Sequence, residues 1–256
     1  MTHSIFDLSG RLALITGSSR GLGLALADGL MSAGATVLIH GRDAGRLAAA
    51  QERLVQKHGV RPPCVSFDVA QPTDTAAALD AVMDEHGVPD ILINNAGVQN
   101  RTHFNELAPR DWERVVATNL NSVFFVSQPV TRRMAKRRSG KIINIGSLMS
   151  LLGRETISAY TAAKGGVAQA TKAMAADLTR FNIQVNTISP GYFQTEMTTD
   201  LVADAAFNEW VERRTPAGRW GQPEELVGCA IFLSSDASTF VSGQNIFVDG
   251  GLAAVV

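Results

Sequence analysis

Residues 12–23 read Leu12-Ala13-Leu14-Ile15-Thr16-Gly17-Ser18-Ser19-Arg20-Gly21-Leu22-Gly23, and a helical pattern over Gly21–Ala33 opens inside that stretch. A short apolar run ends in a glycine turn that feeds a helix. Glycines there let the backbone turn tightly and approach a phosphate group, which the helix N-terminus then stabilises. The spacing departs from Gly-x-Gly-x-x-Gly, because three residues separate the first two glycines. Glycine is common here, 23 of 256 residues, so the turn alone says little. Its place after the first strand, where a doubly wound sheet takes a dinucleotide, gives it weight.

Outward from this turn the same alternation continues. Strand-length apolar runs lie at Leu12–Ile15, Val37–Ile39, Cys64–Phe67, Ile91–Ile93, Ile142–Ile145, Ile183–Ile188 and Ile246–Val248. Most lack polar alternation, as strands covered on both faces should. Helical patterns lie between them, at Asp43–His58, Thr73–His86, Asp111–Lys136, Ser158–Arg180 and Pro223–Ser234. Gly34, Gly59, Gly87 and Gly140 stand where helices should stop on a left-handed residue. The pattern predicts an α/β fold, a doubly wound, Rossmann-like parallel sheet, in a single domain over 1–256. Only 195–221 breaks it. A long excursion between a strand and a helix is the expected place for a substrate lid of one or two short helices.

A formal net charge of −1 favours neither nucleic acid nor an anionic membrane as a partner. The basic run Arg132, Arg133, Lys136, Arg137, Arg138 suits the solvated last turns of a helix, where cations complement the dipole. Cys64 and Cys229 lie far apart with no nearby His pair, which points to no metal site and no disulfide framework. No signal-peptide pattern opens the chain and no stretch approaches 18 apolar residues, so the expected compartment is the cytoplasm.

At the end of the second strand stands Ile39-His40-Gly41-Arg42-Asp43. Arg42 and Arg20 can each reach a ribose 2′-phosphate. Asp43 can either hold a ribose hydroxyl or cap the following helix. Further on, Tyr160-Thr161-Ala162-Ala163-Lys164 opens a helix, with Ser147 just after the strand Ile142–Ile145. A Tyr and a Lys four residues apart share one helical face. The chain has only two tyrosines, Tyr160 and Tyr192, so a chance match is scarce.

These motifs, with Asp68-Val69, Asn94-Asn95-Ala96-Gly97, Asn119 and Pro190-Gly191, resemble the short-chain dehydrogenase/reductase family along essentially the whole chain. The resemblance implies an NAD(P)-dependent oxidoreductase interconverting a carbonyl and a secondary alcohol on a small molecule. It makes Tyr160 the general acid–base, Lys164 the holder of the nicotinamide ribose, Ser147 the partner of the substrate oxygen and Asn119 a support for a water-mediated proton relay. Gly17, Ser19, Arg20, Gly21, Leu22, Gly23, Arg42, Asp68, Val69, Asn95, Ala96, Gly97, Pro190, Gly191 and Thr195 would bind cofactor, with Ile188 beside the carboxamide. A free phenol has a pKa near 10. A lysine ammonium about 5 Å away is worth roughly 3 kcal/mol at an effective dielectric near 20, on the order of two pKa units downward.

Within the family, the stretches 94–101, 152–154, 190–197 and 214–221 are similar to bacterial gluconate 5-dehydrogenases. They single out Gln99, Arg101, Arg154 and Tyr192 as substrate contacts, an arginine suiting a sugar-acid carboxylate. The chain departs from that group at Met149 and Leu151, where Gln and Glu are usual. The expected cofactor is NADP rather than NAD, from Arg20, Arg42 and Gly41. The alternatives are a reductase of a less hydroxylated keto acid or ketone, which Met149 and Leu151 favour, a 3-oxoacyl-carrier-protein reductase, needing a basic docking patch beside the pocket, and a non-catalytic nucleotide sensor. The resemblance also implies a homotetramer packed through Asp111–Lys136 and Ser158–Arg180, with Val115, Leu120, Val123, Val167 and Ala170 compatible with that interface or with an intrachain core.

Overall fold

The computed structural model describes residues 4–255. The seven apolar runs form seven strands: β1 Leu12–Ile15, β2 Thr36–His40, β3 Cys64–Val65, β4 Ile91–Asn94, β5 Gly140–Ile145, β6 Ile183–Pro190 and β7 Asn245–Val248. They make one parallel sheet in the order β3-β2-β1-β4-β5-β6-β7. Every position of β4, β5 and β6 is buried, which explains their lack of alternation. The helices are α1 Gly21–Ser32, α2 Ala44–His58, α3 Pro72–His86, α4 Pro109–Val116, α5 Ser122–Arg137, α6 Ser158–Leu178, α7 Thr199–Ala203, α8 Ala205–Arg214 and α9 Val227–Ser234.

Successive strand residues point to opposite faces, so each strand serves two cores. Ile15, Ile39, Ile93 and Ile143 meet α1, α2 and α9 on one face. Leu14, Leu38, Leu92 and Ile142 meet α3, α5 and α6 on the other. After β1 the chain steps outward to β2 and β3, then returns past β1 to β4. The loops after β1 and β4 therefore part in opposite directions, opening a crevice at the C-terminal edge. Among the described residues no helix is long and apolar enough to cross a membrane.

Several local expectations are corrected. Gly140 does not stop a helix. It is the buried first residue of β5, and the left-handed position ending α5 is Arg138, at φ 56°. The segment 111–136 is not one regular helix, because α4 and α5 are joined by a π-helical turn over Ala117–Asn121. Val115, Val123 and Val167 are buried within the chain itself and are not available to a partner. Residues 195–221 contain α7 and α8, two short helices.

Candidate active site

A cleft of about 660 Å³ opens at the C-terminal edge of the sheet, a size suited to a cofactor-scale ligand. Its floor is the glycine turn. Gly17 has φ +64°, and a Cβ there would lie 2.9 Å from the Ala96 Cα. A Cβ on Gly23 would collide with the Asn95 amide nitrogen and the Gly17 carbonyl. Only glycine lets the two loops come this close. Asn95 fixes that approach: its Nδ2 donates to the carbonyls of Thr16 (2.9 Å) and Gly17 (3.0 Å), and its backbone N–H to Thr16 Oγ1 (3.0 Å).

Of the expected cofactor contacts, Gly17, Ser19, Arg20, Gly21, Leu22, Gly23, Arg42, Val69, Asn95, Ala96, Gly97, Pro190, Gly191 and Thr195 line this cleft. Asp68 does not; its carboxylate takes Arg42 Nη1 at 3.0 Å and the Ala70 N–H at 3.0 Å. Ile188 is fully buried in the core and is absent from the lining, because its side chain lies on the strand face covered by helices. Asp43 accepts the Arg46 N–H at 2.9 Å and caps α2, although the residue also borders the cleft. Arg20 is engaged by Glu196 across the mouth at 3.0 Å.

Sequence reasoning assigned nothing to His40, yet it lies in the cleft wall and is 2% exposed. A polar residue ending a buried strand beside a glycine turn was the available signal. Burial lowers its pKa to about 4, so the ring is neutral at ordinary pH.

Asn119, Ser147, Tyr160 and Lys164 all line the same cleft. Tyr160 and Lys164 lie one turn apart near the start of α6, with the lysine Nζ 5.6 Å from the phenol ring centre. Lys164 is buried and donates to the Ile145 carbonyl at 2.6 Å, and desolvation lowers its pKa to about 8. Burial raises Tyr160 above its ordinary value, and the hydrogen bond from the Ser147 side partly offsets that. The expected drop in the phenol pKa is thus absent: desolvation outweighs the Ser147 hydrogen bond, and the Lys164 ammonium is directed at a carbonyl. Ser147 is itself held by its N–H to Ser150 Oγ (3.2 Å) and by the Met149 N–H on its own Oγ (3.1 Å).

Asn119 sits in the π turn. Its Nδ2 donates to the carbonyls of Val98 (2.9 Å) and Val115 (2.8 Å), while Oδ1 accepts the Val98 N–H at 3.2 Å. Beneath these groups a buried polar chain ties the helices to the sheet. Asn94 Nδ2 donates to Ser127 Oγ (2.9 Å) and Asn144 Oδ1 (2.8 Å), and Asn144 Nδ2 to Thr171 Oγ1 (2.9 Å).

None of Gln99, Arg101, Arg154 and Tyr192 lines the main cleft. Three of them nevertheless gather beside it. Tyr192 packs edge-on against Phe207, Trp210 and Trp220 at 5.5–5.7 Å between ring centres. The Arg154 guanidinium stands 5.0 Å from the Phe207 ring centre and hydrogen-bonds the Tyr192 hydroxyl. Burial and the nearby Arg154 both disfavour charge on Arg101, whose Nη2 donates to the carbonyl of Met197, a lining residue, at 3.1 Å. Among the described residues neither arginine has an ion-pair partner. Gln99 Oε1 accepts the N–H of its neighbour Asn100 at 3.3 Å.

Residues 17–253 match a family model described as enoyl-(acyl-carrier-protein) reductase. The chain belongs to the short-chain dehydrogenase/reductase family. It is 51% identical over 256 residues to a gluconate 5-dehydrogenase of Gluconobacter oxydans, covering 98% of each chain. It is 48% identical to a 5-keto-D-gluconate 5-reductase of Escherichia coli, covering 99% of this chain and all of the relative. A crystal structure of a gluconate 5-dehydrogenase from Burkholderia cenocepacia, in complex with NADP and tartrate, superposes with a TM-score of 0.95 at 49% identity, over 99% of this chain and 100% of that one. As a short-chain dehydrogenase/reductase, the protein is an oxidoreductase using a nicotinamide cofactor. The likeness expected from the sequence, to the gluconate 5-dehydrogenase branch, is borne out.

Proposed function

We propose that the protein interconverts a ketone and a secondary alcohol on a sugar acid, of the 5-keto-D-gluconate and gluconate type, with NADP as its preferred cofactor. The observation that carries this is one cleft walled by the glycine turn and by Asn119, Ser147, Tyr160 and Lys164, with two unpaired arginines at one side. A dinucleotide fits the residues present. The Gly17 and Gly23 cradle leaves no space for a side chain, and Arg20 and Arg42, each resting on a carboxylate, line the same cleft. When bound, the nicotinamide supplies hydride in the reducing direction and accepts it in the other.

The chain's own residues manage the proton and the pose. Ser147 hydrogen-bonds the carbonyl oxygen and sets it against Tyr160, whose protonated phenol gives its proton as the oxygen gains charge. Lys164 spends one donor on Ile145 and has two left for ribose hydroxyls. Asn119 has both side-chain donors occupied, so it braces the 97–98 backbone and serves a water relay only as an acceptor. Arg154, held by Tyr192, and Arg101 take the substrate carboxylate, and residues 195–221 form the lid over it. The protein acts in the cytoplasm as a homotetramer, to which α5 offers the exposed Phe124.

The carrier-protein alternative finds less support. The basic end of α5 leads into the N-terminal end of β5, across the sheet from the cleft, and Arg133 and Arg137 are paired with Asp80, Asp84 and Asp90. The deciding assay presents 5-keto-D-gluconate, uncharged ketones and 3-oxoacyl thioesters with NADPH and with NADH. The expected result is highest kcat/KM for the keto acid with NADPH. Arg42→Ala should lower the NADPH preference about ten- to hundredfold. A thioester outperforming the keto acid overturns the substrate, and equal rates with both cofactors overturn the preference.

A further inference from the structure

We propose that His40 is a cofactor-positioning residue, a brace that sets the distance between the glycine turn and the Val69 wall of the cleft. This rests on the dinucleotide reading above. His40 ends β2, and its imidazole bridges two loops from different parts of the chain. Nδ1 is 2.9 Å from the Gly17 backbone N–H, and Nε2 is 3.0 Å from the Phe67 carbonyl. An N–H can only donate, so Nδ1 is the bare acceptor and Nε2 carries the proton it gives to Phe67. The tautomer is set by the two partners together.

The backbone of the same residue completes the clamp. Its N–H donates to Ser18 Oγ at 2.8 Å, and its carbonyl accepts the Ser18 N–H at 2.9 Å. The Phe67 ring packs tilted against the imidazole, 4.3 Å between centres, and the residue immediately precedes Asp68-Val69. One buried side chain thus joins the first glycine of the turn to the loop after β3 that carries the cleft-lining Val69, and Gly41 and Arg42 follow it directly. An aliphatic residue of the same size fills the volume but takes its partner from the half-buried Gly17 N–H, which loosens the turn.

The test uses the full-length protein with His40→Leu, which removes both bonds, and His40→Asn, whose side-chain oxygen can still accept from Gly17. NADPH affinity is read by fluorescence titration without substrate, and exchange of the Gly17 amide is followed in the cofactor-free protein. Losing a hydrogen bond to a buried group should weaken NADPH binding about ten- to hundredfold in His40→Leu. Gly17 exchange should speed up in that variant, kcat at saturating cofactor should change far less, and His40→Asn should recover most of both losses. A folded His40→Leu that binds NADPH like wild type overturns the proposal, as does an Asn variant that is stable but recovers nothing. If wild type binds neither NADPH nor NADH, the dinucleotide reading itself fails, which is distinct from a failure confined to the His40 variants.

Discussion

The two ends of the active-site region are built differently. On the glycine-turn side of the cleft the wall is backbone at strand termini, and side chains such as Asn95 and His40 are committed to other backbone groups. Beside the cleft, Arg101, Arg154 and Tyr192 bring long side chains together from separate loops. Thr156 is held there at φ 67°, a costly conformation for a β-branched residue, with its carbonyl tied to the Thr102 N–H at 2.9 Å. A backbone-built cradle suits a ligand that never changes. A rim of side chains can be altered one residue at a time without disturbing the sheet.

The largest expected effect lies where the two ends meet. Tyr160→Phe should bind NADPH normally yet lose roughly 10²–10⁴-fold in turnover. A variant keeping more than about a tenth of wild-type kcat would move the proton transfer elsewhere and dissolve the boundary between the ends. The pH profile sharpens the same point. Burial raises Tyr160, so the phenol is protonated through the neutral range, whereas Lys164 loses its charge as pH rises through about 8. Ketone reduction should stay level up to that pH and decline above it. Alcohol oxidation, which needs the phenolate, should still be climbing as pH nears the ordinary tyrosine value of about 10. An oxidation plateau near pH 7 would show that the cofactor-bound site lowers the phenol after all.

An intermediate effect belongs to the rim. Arg154→Ala should raise KM for a keto acid about ten- to hundredfold, because a charge-assisted pair is lost. The KM for an uncharged ketone and the affinity for NADPH should hardly move. Equal losses on charged and uncharged substrates would mean that Arg154 supports the aromatic cluster rather than a carboxylate. The smallest effect is expected at the mouth. Arg20 and Glu196 are both well exposed, so Glu196→Gln should change NADPH affinity by about threefold or less. A larger change measured by the same titration would make that pair a working latch between the two ends.

The cradle was legible in the sequence because backbone approach demands glycine at fixed offsets, and offsets survive in a linear text. Tyr160 and Lys164 were legible for a similar reason, sharing one helix. The seven strands were found as apolar runs, although β3 keeps only Cys64–Val65 of the expected Cys64–Phe67. There the Asp68 carboxylate starts a new turn by accepting the Ala70 N–H. His40 was not legible, since its role depends on Gly17 and Phe67 approaching it from two other loops. The meeting of Arg154 with Tyr192, Phe207 and Trp220 was equally hidden, because it joins four segments whose separations follow no period. Gly140 misled because a helix stop can fall on another residue, here Arg138.

The π turn at Ala117–Asn121 carries a consequence for how this chain can change in length. One surplus residue is stored in an otherwise α-helical path, and each residue of a regular helix turns the next by about 100°. Deleting a single residue from the turn would heal the helix and keep its apolar stripe continuous. The flanks would keep their phase, but Asn119 would lose the wide turn that carries its amide to the Val98 and Val115 carbonyls. A shortened chain could therefore look better formed by helix content while having lost the alignment on which its chemistry depends.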